Sequence, residues 1–109
     1  MAQVIFIHDG GSIDHIPVAD VQPGDVVVQG ELVGVAKLGI KAGMLGALAV
    51  QGVFDFPVPD TAGWAVGDFA YWDDAADQAT KTATGNKPIG KAVGIRPGSV
   101  PYVRVRLNQ

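Results

Sequence analysis

The sequence predicts an all-β protein: a small single-domain barrel or sandwich of short strands joined by Gly/Pro turns. Three observations predict it. Fifteen glycines and seven prolines punctuate only 109 residues, and between them lie short runs rich in Val, Ile, Phe and Tyr, the residues that suit a pleated surface. No stretch carries the sustained 3.6-residue apolar period of an amphipathic helix. Finally, one pattern occurs twice. Pro23-Gly24-Asp25 precedes Val26-Val27-Val28, a turn at Gln29-Gly30-Glu31, and Leu32-Val33-Gly34-Val35-Ala36. Later, Gly67-Asp68 precedes Phe69-Ala70-Tyr71-Trp72, and Ile89-Gly90-Lys91-Ala92 echoes the second strand. The repeat predicts two pseudo-repeated halves within one fold. Two copies are too few for a solenoid.

Taken in order, Val4-Ile5-Phe6-Ile7 is apolar on both faces and reads as a strand that is either central or covered by a partner. Asp9 to Ser12 turns the chain, and Ile13 to Val18 returns, with Pro17 at an edge or end. Residues 1–20 thus form an arm or hairpin, and residues 21–109 the β domain. Pro23-Gly24-Asp25 enters the organising hairpin through a tight turn. Leu45 to Val50 is small and apolar, but Gly43, Gly46 and Gly52 argue for strand over helix. Val53-Phe54-Asp55-Phe56 alternates, with both rings on one face, and ends at Pro57 and Pro59. Asp60 to Ala65 reads as one short helical turn capped by Asp60 or Thr61. Phe69 to Trp72 is an aromatic strand, Asp73 to Asp77 a polar turn, and Gln78 to Ala83 a strand. Gly85-Asn86-Lys87-Pro88 turns into Ile89 to Ile95, a strand broken by two glycines. In Tyr102 to Leu107, Val103, Val105 and Leu107 face one way, and Tyr102, Arg104 and Arg106 the other.

Composition bounds the function. Charged residues are 17% and apolar residues 48%, which excludes a disordered chain and leaves apolar surface for contacts between subunits. Without cysteine there is neither a disulfide nor thiol chemistry. No segment has the length of a membrane span, and Met1-Ala2-Gln3 lacks the basic start of a signal peptide. The charges are segregated. All eleven acids lie from Asp9 to Asp77, against two lysines, a net of −9; beyond Gln78 there are six basic residues and no acid. Either the two regions neutralise each other within one molecule, or acidic and basic faces meet head to tail between copies. A pI near 5.0 argues against a nucleic-acid partner.

No catalytic, cofactor or metal site is expected. Gly85 to Ala92 begins like a phosphate-binding loop, but Ala92 supplies no hydroxyl for Mg²⁺ and Pro88 removes a backbone N–H. His8-Asp9 and Asp14-His15 flank a turn, but nothing fixes them as metal ligands. Asp73, Asp74 and Asp77 lack the glycine and distal Glu of a calcium loop. Ser12 and Ser99 sit in no nucleophile elbow. Trp64, Tyr71 and Trp72 read as core or subunit-contact anchors. Arg104 and Arg106, on one strand face, read as partners for acids of this or a neighbouring chain.

An ordered set of pieces carries a resemblance. Pro-Gly-Asp-Val-Val-Val and Gly-Glu-Leu-Val-Gly-Val-Ala within residues 23–36 resemble the phage capsid cement, or head decoration, family. So do Val50-Gln51-Gly52-Val53-Phe54, Gly67 to Asp73, Thr80 to Thr84, Gly85-Asn86, Ile89 to Val93 and Val103 to Asn108. The resemblance implies a small β protein on the outer surface of a tailed-phage or prophage head, made in the host cytoplasm. It implies a non-enzymatic protein, with the major capsid protein as partner and a homo-oligomer, a trimer favoured, as its state. The capsid or subunit interface expected on this reading draws on Val4, Ile5, Phe6, Ile7, His8, Trp64, Tyr71, Trp72, Arg104 and Arg106. The two-sided apolar arm, Gln3 to His8, is expected to add a strand or ridge to the shell. The alternatives are a DNA-binding recombination accessory protein and a small ligand-binding β-barrel with its Trp and Tyr residues as a platform.

Overall fold

The computed structural model describes residues 3–109. Nine strands form two layers: β1 Ser12–His15, β2 Val26–Gln29, β3 Leu32–Val35, β4 Gly46–Ala49, β5 Gln51–Pro57, β6 Phe69–Asp73, β7 Gln78–Thr80, β8 Lys87–Arg96 and β9 Tyr102–Asn108. One layer has the order β1-β4-β3-β2 and the other β5-β9-β8-β6-β7. The layers make an all-β sandwich and do not close into a barrel.

The predicted duplication appears in the topology. Each half runs as four antiparallel strands in which the first lies beside the last: β1-β4-β3-β2 in one, β5-β9-β8-β6 in the other. The second half inserts β7 after β6. The repeated Gly-Asp turn is built from the same bonds in both copies. Gly24 N–H donates to the Ala36 carbonyl at 2.6 Å, and Ala36 N–H to the Asp25 carbonyl at 2.9 Å. Gly67 N–H donates to the Ala92 carbonyl at 2.7 Å, and Ala92 N–H to the Asp68 carbonyl at 2.8 Å. Each aspartate also closes its own turn. Asp25 Oδ2 accepts from Gln22 N–H at 2.9 Å, and Asp68 Oδ2 from Ala65 N–H at 2.8 Å. The second copy makes this turn with Val66 in place of Pro23; the aspartate that ties the turn is the shared element.

The main core lies between the layers. Alternation on β9 sends Val103, Val105 and Leu107 inward to meet Ile89, Ala92, Phe56 and Trp72 of their own layer. Val33 and Val35 of β3 close the core from the other layer, with Val26 and Val28 of β2 packed against it. On the far side of the four-stranded layer, Ala36, Ile40 and Leu48 form a second, smaller cluster with Ile13, Val21 and Val27 beside it.

The two layers are joined in two ways. The chain passes from β4 to β5 through the single residue Val50, whose N–H bonds the Gly11 carbonyl at 3.0 Å. The side-chain amide of Gln109 meets both backbone groups of Val33, accepting its N–H at 2.7 Å and donating to its carbonyl. It stands in for a neighbouring strand where β3 and β4 diverge, since those two share only the Val35–Ala49 pair.

Three expectations are corrected. Val4 to Ile7 is not a strand: none of its own chain's strands pairs with it, and its side chains are 77–84% exposed. Apolar content favours burial but supplies no ladder, so the backbone groups stay solvated. Asp60 to Ala65 is not a helical turn. It is an isolated β-turn, Trp64 N–H to Thr61 carbonyl at 3.2 Å, with Asp60 capping Ala62 N–H at 3.1 Å. A segment this short does not recover the cost of helix nucleation. Pro88 lies in β8 rather than in the turn before it. The pairing slips there, Ala70 opposite Gly90 and Tyr71 opposite Pro88, so Ile89 is the extra residue of a bulge, where a missing N–H is tolerated.

Candidate functional site

Exposed apolar side chains occur in several places among the described residues, Val18, Leu38 and Leu45 included; the N-terminal segment and the outer face of the five-stranded layer carry continuous sets of them. In the segment, Val4, Ile5, Phe6 and Ile7 project from the body. The Cα radius of gyration, 15.0 Å, exceeds the value of about 13 Å expected for a compact chain of this length. His8 turns back locally, its Nδ1 accepting the Gly10 N–H at 2.9 Å.

The outer sheet face is ordered in cross-strand rows. Val53 of β5 lies opposite Arg106 of β9, Arg106 opposite Lys91 of β8, and Lys91 opposite Phe69 of β6. The row thus carries two adjacent cations between two apolar residues, Val53 at 56% and Phe69 at 63% exposed. Lys91 Nζ stands 5.3 Å from the centre of the Phe69 ring, within cation–π reach. At the row lies a groove of about 380 Å³ lined by Phe69, Tyr71, Pro88, Lys91 and Arg106, with Glu31, the ion-pair partner of Lys87, also in its wall.

The next row is neutralised differently. Arg104 grips Asp55 with two bonds, Nε to Oδ1 at 2.9 Å and Nη2 to Oδ2 at 3.1 Å. Arg96 approaches the same carboxylate at 3.6 Å and lies over the Tyr102 ring at 5.3 Å. The Arg104 hydrogen bond, opposed by partial burial and aided by the charges of both arginines, holds the Asp55 carboxyl below its ordinary value; Arg104 is pushed up by the same bond.

The segregated charges therefore meet within the molecule. Glu31–Lys87, Asp55–Arg96, Asp55–Arg104 and Asp68–Lys81 each join an early acid to a late base. Lys91 and Arg106 form no ion pair among the described residues, although they stand side by side. Like charges directly opposite on a sheet are unfavourable, and here the two exposed cations are separated from the nearest ion-paired row by one residue along β9.

The aromatic residues separate. Trp72 is 4% exposed and belongs to the main core, 5.9 Å from the Phe56 ring, with Nε1 donating to Asp74 Oδ1 at 3.0 Å. Trp64 is half-buried against the core under Lys81, whose Nζ is 6.0 Å from the ring. Tyr71 lines the groove on the opposite, outer face. They form no common platform, and Trp72 is an anchor of the core. The groove escaped the sequence reading because Phe69, Lys91 and Arg106 come from three strands. Alternation did signal the outward direction of Arg106, and only the register supplies its neighbours.

The polar candidates also disperse. His15 Nδ1 lies 2.8 Å from Gln29 Nε2 and not against His8. A cleft of about 560 Å³ between the layers is lined by Asp25, Asp55 and Asp77, with Phe54 and Trp72. Among the described residues no three His, Cys, Asp or Glu side chains converge as a metal site. Likewise, no helix among them is long and apolar enough to cross a membrane.

Fold and surface together define a two-layer β-sandwich that exposes, among other surfaces, an apolar segment and an apolar, basic sheet face. A family model described as phage cement protein matches residues 7–107, and the chain belongs to that family. It is thereby placed among the structural proteins of phage capsids. No curated protein and no solved structure matches the chain.

Proposed function

We propose that this protein decorates the outside of a tailed-phage head, binding the assembled major capsid protein and stabilising the expanded shell. The reading is carried by the cement-family match over residues 7–107, in a sandwich that leaves apolar and charged surface exposed. A ligand that binds only one state of the shell stabilises that state by mass action. Many copies, each with more than one contact, add avidity without further affinity per contact. Decoration needs surface and rigidity and no bond-making chemistry. Subunits associate as a homo-oligomer, for which a trimer suits the local threefold positions of an icosahedral shell.

The test is co-sedimentation of the purified protein with expanded and unexpanded heads. Saturable binding to expanded heads, with a raised temperature of head disruption, is expected. Protein that stays in the supernatant at saturating concentration overturns the reading.

A further inference from the structure

The unneutralised cations and the uncovered segment are complementary in chemistry. We propose that the segment Val4–Asp9 of one copy lies across the outer face of the five-stranded layer of a second copy. Its apolar side chains fill the Phe69–Tyr71–Pro88 groove, and its Asp9 meets Lys91 and Arg106.

Four observations carry this. The segment is apolar for four residues and then acidic, Val4-Ile5-Phe6-Ile7-His8-Asp9. The face is apolar at both ends of one row and doubly basic in the middle, Val53, Arg106, Lys91, Phe69. Both surfaces are exposed, and neither covers the other within one copy. The lengths also agree. Six extended residues reach about 20 Å, more than the two strand spacings, about 10 Å, from Arg106 on β9 over β8 to Phe69 on β6.

The contact desolvates two cations beside one carboxylate and an aromatic ring. It leaves the Asp55–Arg104 pair untouched in the next row. Because the segment of one copy serves the face of another, the interface is heterologous and the copies close into a ring when the rotation allows. The assignment goes beyond decoration of a shell and does not depend on it.

The experiment has two arms. Light scattering of the full chain should give the mass of several copies. The double variant Lys91→Glu/Arg106→Glu should give the mass of one, while Lys37→Glu, a charge change elsewhere on the surface, should leave the assembly intact. Circular dichroism checks that each variant keeps its β fold. In the second arm a labelled synthetic peptide of residues 3–10 is titrated into protein lacking residues 1–8. Binding is expected, weakened at least ten-fold by Lys91→Glu/Arg106→Glu. A monomeric full chain overturns the proposal, as does a peptide that fails to bind or binds the double variant equally well. Heads that still take up the protein in that case leave decoration standing.

Discussion

A Cβ placed on Gly90 would lie 1.9 Å from the carbonyl oxygen of Arg106. β8 and β9 are in contact there through their backbones, and Gly90 adopts φ +152°, a conformation that side chains rarely take. The pseudo-equivalent Gly34 is also tight against its neighbouring strand, though less so: its Cβ would fall 2.8 Å from that of Leu48. Both halves of the fold thus require a glycine where the third strand of the unit approaches the fourth.

Gly90→Ala should therefore be the more damaging change, costing about 4 kcal/mol or preventing folding, since backbone cannot yield as a side chain can. Gly34→Ala meets the Leu48 Cβ at a longer 2.8 Å, which a small shift of β4 can relieve, and should cost about 1–3 kcal/mol. Urea unfolding of the two variants measures the difference. Equal and small losses would contradict the close approach at Gly90.

Asp55 makes a pH prediction. Its folded value lies below its ordinary 3.8, so the paired carboxylate contributes stability at neutral pH. That contribution is fully present above the unfolded value. It is lost as pH falls through the depressed folded one. Wild-type stability should fall steeply below about pH 4, and Asp55→Asn should flatten that part of the profile. Melting temperatures between pH 2 and 7 check it; an unchanged slope in the variant would remove Asp55 as the titrating group.

Gln109→Ala should loosen the union of the two layers. It leaves the part-buried N–H and carbonyl of Val33 without their side-chain partner, at about 1–3 kcal/mol. Hydrogen exchange should rise at the Val33 amide more than at Val103 in the centre of the core. Equal change at both sites would mean that Gln109 only contributes general stability.

Asp25→Ala and Asp68→Ala should each cost about 1 kcal/mol through the turn-closing hydrogen bond they remove, with up to ~1 kcal/mol more at Asp68, which also pairs with Lys81. Denaturation of the single variants tests whether the duplicated turn is also duplicated in energy. An inert Asp68→Ala would break the equivalence.

The sequence made the fold legible where local signals agree with pairing. Val103, Val105 and Leu107 alternate cleanly, and all three are buried. The Gly-Asp repeat foretold two units, and the same bonds close both turns. Legibility failed where a residue's fate depends on what lies across from it. Val4 to Ile7 has strand-like chemistry and no strand to join. Pro88 reads as a turn residue, yet a slip in register accommodates it inside β8. The candidate surface behaved in the same way. Alternation turned Arg104 and Arg106 outward, but only the register shows that one meets Asp55 and the other meets Lys91.

The passage from β4 to β5 through Val50 has a mechanical consequence. β4, an inner strand of its layer, continues directly into β5, the edge strand of the other, so a pull that separates the layers loads the β4–β1 and β5–β9 ladders together. Load is shared in parallel across two ladders instead of unzipping one bond at a time, which is the behaviour wanted of a rivet.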